Sequence, residues 1–543
     1  MSVFQAALIA FFYAFARSSF NAGLGKYVLS QPLVAGAIAG ALLGDPLRGA
    51  VIGGALNLST LALSQLRLNF GPDVALIGYV GVPLMMLSGL QADAPQTTAL
   101  FGALIVVGVL LNFVRGLFNS VVSHWADYFA DLGNIDTVAS LNVVPTQIWL
   151  VITSFVPALV ILLFDAQSII FLSTNIPLWA QTAMNVATHL LAALGIAMSL
   201  RLLMQGSSIA YFLIGFLIAP VIGLVPATLF GGSLALIHAY LARRRTDTNS
   251  NALVQDVMPS DQAITVDPQK RLGFAELQSS FLLWMFFHDA GSNFERRQNM
   301  GVAAALAPVA RRLTDTLEDR IAMLRRNLML FSSEWTFGAS LIGASAALEE
   351  RRVNGELIND AELVGARTGA MAGFDVAGGA IMTGAVTSLL VAIGTAIAQR
   401  GSLLGPVLFA LLQAFIVIAV GFASFRLGYS LTHRFVDEAR VTNWLRPALF
   451  GAMRLGAFTL GALVTSFVPL VLPPGAAITI GAATLPIQGR VFDSIMPGLL
   501  PLLTTLMLWG LLRYRRVSPG VLVGVCLVIA LLAGVVAGVT RWA

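Results

Sequence analysis

His288 and Asp289 place an imidazole, the side chain suited to taking a proton near neutral pH, directly beside a carboxylate. A little further on, Asn293, Glu295 and Arg296 bring an amide, an acid and a guanidinium into one short polar string. Asp375 interrupts a run of small and apolar residues, and Asp73 follows Gly71-Pro72. Asn57 offers an amide that both donates to and accepts from a hydroxyl. Such groups can hold a polar molecule and accept a proton from it. They form no metal-ligand cluster, nucleophile elbow or phosphate-binding loop, so neither a metal, a cofactor nor a conventional enzyme is expected. Each also has a purely structural use. Asn57 and Asp73 suit helix caps, Glu295 suits an ion pair with Arg296, and the His288-Asp289 pair suits packing. Glu349 and Glu350 read as loop salt-bridge partners for Arg351 and Arg352.

The elements that must position these groups are set by composition. Of 543 residues, 57% are hydrophobic and 11% charged, about half the charge content of a soluble domain. Apolar runs recur at 4–16, 74–92, 97–114, 147–164, 208–241, 376–398, 402–424, 494–512 and 519–540. Several approach the roughly 20 residues that a helix needs to cross a hydrocarbon core ~30 Å thick. Backbone groups must pair with one another in lipid, and the runs lack the alternation of a membrane barrel strand, so they predict helices. Asp375 gains weight here, because an ionisable side chain at membrane depth costs about 2.5–3.5 kcal/mol on insertion scales.

A net charge of +5 does not point to nucleic acid, since the Lys and Arg are spread over loops rather than massed on one face. They serve better as topology markers. Arg243–Arg245 and the cluster Arg513, Arg515 and Arg516 are expected on the inner side of the membrane. Cys526, the sole cysteine, falls in the last run and reads as packing. No basic region precedes the first run, which predicts a first membrane helix ending at Arg17 rather than a cleaved signal.

One segment, 244–271, is polar, with prolines and mixed charge, and reads as a solvated linker. It divides the chain into hydrophobic halves, 1–243 and 272–543. Glycines four apart recur in both: Gly36, Gly40 and Gly44, then Gly49, Gly53 and Gly54; and Gly365, Gly369 and Gly373, then Gly378, Gly379 and Gly384. This spacing smooths one helix face for close packing. It equally suits short broken or re-entrant helices meeting at mid-membrane between inverted repeats, and Gly44-Asp45-Pro46 predicts the turn of such a hairpin. The expected class is an all-α polytopic membrane protein of two similar helical halves, with lipid as its surroundings.

Specific strings now carry a resemblance. QPLVAGAIAGALLGDPLRGAVIGG from Gln31 onward, the PD of Pro72-Asp73, and HWADYFADLGNID from His124 to Asp136 resemble the IIC subunit of the mannose/fructose/sorbose-family sugar phosphotransferase system. NFERRQNMG at Asn293–Gly301, LIGASAALEERRVNGELIND at Leu341–Asp360, GSLLGP at Gly401–Pro406 and MPGLLPLL at Met496–Leu503 are similar to its IID subunit. The resemblance implies a IIC–IID fusion in a bacterial inner membrane. It further implies a trimer that carries a hexose or amino sugar inward for phosphorylation by separate IIA and IIB subunits. The five histidines of this chain form no phosphocarrier domain of its own.

The expected substrate contacts are Asn57, Asp73, Asn293, Glu295 and Ser332 at positions of the family pattern, and Asp375, which stands four positions before the aspartate usual in IID subunits. Several positions depart from that pattern. Asn57 stands where a glutamate is usual, Gly378-Gly379-Ala380 where IID subunits carry a GDP string, and Thr387-Ser388 in place of an Arg-Pro. Ser332 and Ser333 replace an Asn-Thr pair, the region of Gly25-Lys26 lacks an expected acid, and Gln31 replaces an arginine. Two functions therefore stay open. One is a sugar permease; the other is a relative independent of phosphotransfer that acts as sensor, receptor or facilitator.

Overall fold

In the computed structural model the described residues are 1–21, 23–64, 73–89, 95–164, 177–203, 208–223, 270–434, 454–465, 477–480, 483–486 and 492–539, with scattered positions at 226–241 and 468–488. The linker at 244–271 lies almost wholly outside them, as do Arg243–Arg245.

The first half begins with α1 (Val3–Arg17), whose start is a capping box: Ser2 Oγ accepts from Gln5 N at 3.1 Å while Gln5 Oε1 accepts from Ser2 N at 2.9 Å. A π-helical turn, Gly25–Leu29, leads into α2 (Pro32–Leu43) and α3 (Pro46–Ser64). Pro32 opens α2 and Gly44 closes it in the left-handed region at φ 93°, so the chain reverses there as the Gly-Asp-Pro string predicts. The glycines let α2 and α3 touch backbone to backbone. A Cβ on Gly49 would stand 2.2 Å from the Gly36 carbonyl oxygen, and one on Gly53 2.1 Å from that of Pro32. The second ladder packs differently, because a Cβ on Gly365 would meet nothing within 4 Å.

Next come α4 (Val74–Ser88), α5 (Pro95–Asp131), α6 (Ile135–Leu163), α7 (Leu178–Leu203) and α8 (Ser208–Ile222). The second half supplies α9 (Phe274–Phe287), three short helices α10 (Asn299–Ala305), α11 (Ala307–Leu313) and α12 (Leu317–Asn327), then α13 (Trp335–Val353). The run continues through α14 (Asp360–Gly378), a π-helical stretch at Gly379–Thr387, α15 (Ser388–Gln399) and α16 (Leu404–Arg434). It ends with α17 (Arg454–Thr465), α18 (Leu499–Arg513) and α19 (Pro519–Val539). Among the described residues the helical class is interrupted by one small hairpin, in which Ala477–Ile480 pairs antiparallel with Ala483–Pro486.

Among the described residues four helices are long and apolar enough to cross a membrane: Leu100–Asp131, Ile135–Leu163, Ile381–Gln399 and Leu404–Thr432. Along α16, Leu404, Leu408, Leu411 and Phe415 stay exposed at spacings of three and four, an apolar stripe facing outward as lipid requires.

The two halves do not keep separate cores. One core combines Tyr13, Leu33 and Tyr79 with Phe458, Leu508 and Cys526. The other sets Trp284, Phe331 and Trp335 of the second half around Tyr27, Val122 and Ala126 of the first. Ion pairs reinforce the union. Asp127 takes both terminal nitrogens of Arg296 at 2.8 and 2.6 Å, Asp131 pairs with Arg325 at 2.7 Å, and Asp136 with Arg311 at 2.5 Å. The acids belong to the first half and the arginines to the second.

The expected pairing of Glu349 and Glu350 with Arg351 and Arg352 is corrected. All four lie on α13, where sequence neighbours point away from one another. Glu349 is buried and takes Arg326 in a bidentate pair at 2.9 and 3.2 Å, and Glu350 accepts from Tyr429. Arg351 and Arg352 reach Glu356 and Asp360 instead.

Candidate functional site

A cavity of about 420 Å³ opens where the halves meet. On the first half its wall is the end of α1 at Arg17, the turn bearing Lys26 and Tyr27, Gln31, and the face of α5 with Asn112, Arg115 and Asn119. On the second half it is the loop after α9 with His288, Asp289, Asn293 and Arg297. Ser332–Glu334, Asp375 and Thr387 complete that side.

Two asparagines fold the wall segments. Asn21 Nδ2 donates to the carbonyls of Ala16 and Ser18 at 3.1 and 2.8 Å, and its Oδ1 accepts from Gly25 N at 2.9 Å. This brings the Gly25–Leu29 turn back against α1. Asn293 does the equivalent in the second half. Its Oδ1 accepts from Glu295 N and Arg296 N at 3.2 and 2.9 Å, and its Nδ2 donates to Asn299 Oδ1 at 2.8 Å. The same loop holds Arg297 at φ 58°, a left-handed conformation that costs a non-glycine residue about 1–3 kcal/mol. Bridges from Arg297 to Asn293 and Phe331 maintain it.

Below Arg17 lies a buried polar cluster. Asp73 is wholly buried, accepts from Tyr13 Oη at 2.8 Å and pairs with Arg17 at 3.1 Å. Arg17 also donates to Asn112 at 2.7 Å, and Arg115 donates to Asn112 and Ser154, each at 3.1 Å. Across the cavity Glu334 caps α13. Its Oε2 accepts from the amides of Thr336 and Phe337 at 3.1 and 3.0 Å, and its Oε1 accepts from Tyr27 of the other half. Gly378 makes room for it, since a Cβ there would stand 2.5 Å from Glu334 Oε2. His288, in the same wall, stacks on Trp335 with ring centroids 5.5 Å apart.

Of the residues expected from sequence, Asn293, Ser332 and Asp375 line the cavity. Ser332 Oγ accepts from Arg297 Nε at 3.4 Å. Asn57 stands one residue behind the wall, donating to Gln31 Oε1 at 2.9 Å and accepting from Leu33 N at 3.2 Å, so it serves the start of α2. Asp73 caps α4 through Leu76 N at 3.2 Å and reaches the cavity through Arg17. Glu295 is outside: it is exposed and pairs with His124 at 3.2 Å, while its expected partner Arg296 turns to Asp127. That bidentate pair raises the Arg296 pKa still further.

Sequence reasoning missed Arg115, Asn119, Arg297 and Glu334 as wall residues. Arg115, a lone cation at the end of an apolar run, carries the same sequence signal as Asp375. Glu334 and Arg297 carried no comparable signal, because a capping acid and a loop arginine are common anywhere.

Residues 3–237 match the family described as the PTS system sorbose-specific IIC component, and residues 272–539 that described as the PTS system mannose/fructose/sorbose family IID component. The mannose-specific EIID component of Escherichia coli K12 is 34% identical over 256 residues, which is 46% of this chain and 89% of that protein. The chain belongs to the mannose/fructose/sorbose family of the sugar phosphotransferase system. This family's IIC and IID components are here joined on one polypeptide, a multi-pass membrane protein. The mannose-specific EIIC component of the same organism is 25% identical over 223 residues, 40% of this chain and 82% of that protein. A chain from the cryo-electron microscopy structure of the mannose transporter ManYZ with microcin E492 is 32% identical. It covers 49% of this chain and 97% of its own length, with a TM-score of 0.33. IIC and IID components of this family work with IIA and IIB phosphocarrier subunits.

Proposed function

We propose that this chain is the permease that carries a hexose or amino sugar across a bacterial inner membrane, receiving it in the inter-half cavity while separate IIA and IIB subunits phosphorylate it. The cavity carries this reading. Its size suits a small polar ligand, and its wall mixes amide, hydroxyl and charged groups from both halves, including Gln31, Asn112, Gln298 and Thr387. A site built between two helical bodies is also where relative movement can alternate access. Asn57, Asp73, Asn293, Ser332 and Asp375 then act on the sugar at the wall or through wall residues, while Glu295 helps join the halves. A homotrimer is the proposed assembly, and the exposed apolar stripe of α16 offers a surface for lipid or a neighbouring copy.

The test is uptake of radiolabelled mannose, glucose, fructose, sorbose and N-acetylglucosamine into vesicles containing the purified chain. Accumulation of sugar phosphate is expected only when matching IIA and IIB and phosphoenolpyruvate-driven phosphotransfer are supplied. No uptake of any of these sugars would overturn the proposal. Uptake without the phosphocarriers would favour a facilitator, the reading suggested by Asn57 standing where a carboxylate is usual.

A further inference from the structure

The cavity contains charged groups that sugar binding alone does not require. Lys26 projects from the Gly25–Leu29 turn into the cavity and is exposed there, and among the described residues its ammonium makes no hydrogen bond or ion pair. Arg297 reaches the same space from the other half, and among the described residues only its Nε is engaged, at Ser332. Both cations act by charge on the buried carboxylate of Asp289, which lies in the wall and bonds with Ser292. Of the other wall acids on this side, Glu334 has its oxygens taken by Tyr27, Thr336 and Phe337, and Asp375 lies on α14. The arrangement thus sets two cations with spare donors, one from each half, around the Asp289 carboxylate.

A neutral sugar gives two such cations little to neutralise. A phosphoryl group in transfer does, because its charge spreads over three oxygens and catalysis of that step is largely positioning and charge stabilisation. The backbone adds a second observation. Arg297 is held in a left-handed conformation that its own chain disfavours, and such strain clusters where a side chain must be aimed.

The cavity wall also leads along α5 toward a turn set among arginines. Arg296–Asp127, Arg325–Asp131 and Arg311–Asp136 gather arginines about the turn between α5 and α6, and short arginine-rich segments favour the inner face of a membrane. Asn119, in the cavity wall, precedes Asp127 by two turns of α5, roughly 12 Å at 1.5 Å per residue.

We infer that Lys26 and Arg297 hold the transferring phosphoryl group and that Asp289 takes the proton of the attacking sugar hydroxyl. This rests on the permease reading. The sugar oxygen forms its bond to phosphorus as the P–N bond of a partner subunit's phosphohistidine breaks. The electron pair of that bond returns to the imidazole, and the hydroxyl proton passes to the Asp289 carboxylate. Lys26 and Arg297 stay charged throughout. Because each cation comes from a different half, the site is complete only when the halves are closed on one another.

The experiment uses the full chain with IIA, IIB and phosphoenolpyruvate-driven phosphotransfer, and reads sugar phosphorylation and sugar binding separately. Lys26→Gln, Arg297→Gln and Asp289→Asn should each lower kcat for phosphorylation by about 100-fold or more, with sugar binding within threefold of wild type. Lys26→Arg should restore part of the rate. Retained sugar binding shows that a variant is folded, and Lys26→Gln removes no contact that the fold uses. If sugar binding falls in parallel with kcat, or if neither changes, the assignment is wrong while the permease reading stands. If the wild-type chain phosphorylates none of the sugars tested above, both readings fall together.

Discussion

Tyr27 of the first half donates its hydroxyl hydrogen bond to Glu334 of the second, at the wall of the cavity. The contact joins residues far apart in sequence, and both partners are buried. It ties the turn that carries Lys26 to the cap of α13, so the geometry of the site and the union of the halves share one bond.

Tyr27→Phe is expected to leave Glu334 Oε1 unpaired and to destabilise the protein by about 1–3 kcal/mol. Thermal unfolding in detergent measures this. Adding Glu334→Gln should cost less than the sum of the single changes, because the two groups act as a pair.

Asp73→Ala should be more damaging. It leaves Arg17 without its carboxylate and Tyr13 without its acceptor in a buried cluster, and removing one partner of a buried pair costs about 3–5 kcal/mol. Arg17 is about one-fifth exposed, which points to the lower end of that range. A stability matching wild type would show that water replaces the pair.

Glycine positions should separate sharply. Gly49→Val places side-chain atoms where the Gly36 carbonyl stands and is expected to open the α2–α3 hairpin, seen as loss of a monodisperse folded peak in size-exclusion chromatography. Gly365→Ala meets open space on a helix and should be neutral or stabilising by up to about 1 kcal/mol.

Asp360 provides a pH test outside the membrane-spanning helices. Its hydrogen bond from Arg352, helped by Arg326, holds its carboxyl below the usual range. The contribution to stability is therefore fully present above the ordinary carboxylate value, about 3.9, and is lost as the pH falls through the lowered folded value. Asp360→Asn should flatten the fall in stability below about pH 4 and leave the difference from wild type constant above about pH 5. A mutant whose acid profile stays parallel to wild type would refute this role.

Much of the fold was legible because lipid imposes simple conditions. Apolar runs of sufficient length become helices, and the Gly44-Asp45-Pro46 turn and the Asp73 cap could be read from local chemistry. The site was legible only in part. Asp375 and Asn293 stood out and do line the cavity. Asn57 and Asp73 stood out and lie one contact behind it. Glu295 faces outward because Arg296, one residue further along the loop, turns inward to Asp127. In a loop without helical or strand periodicity, no rule of spacing tells which neighbour points which way.

By itself the sequence determined that the chain lives in a membrane, that it is helical, and that it joins two related components, since these follow from composition and from strings of adjacent residues. Only the tertiary structure decided that the halves share their cores, and that Lys26, Arg297 and Asp289 meet across one cavity. Charge and burial act through space over a few ångströms. Residues separated by hundreds of positions acquire a common electrostatic role only once packing has brought them together.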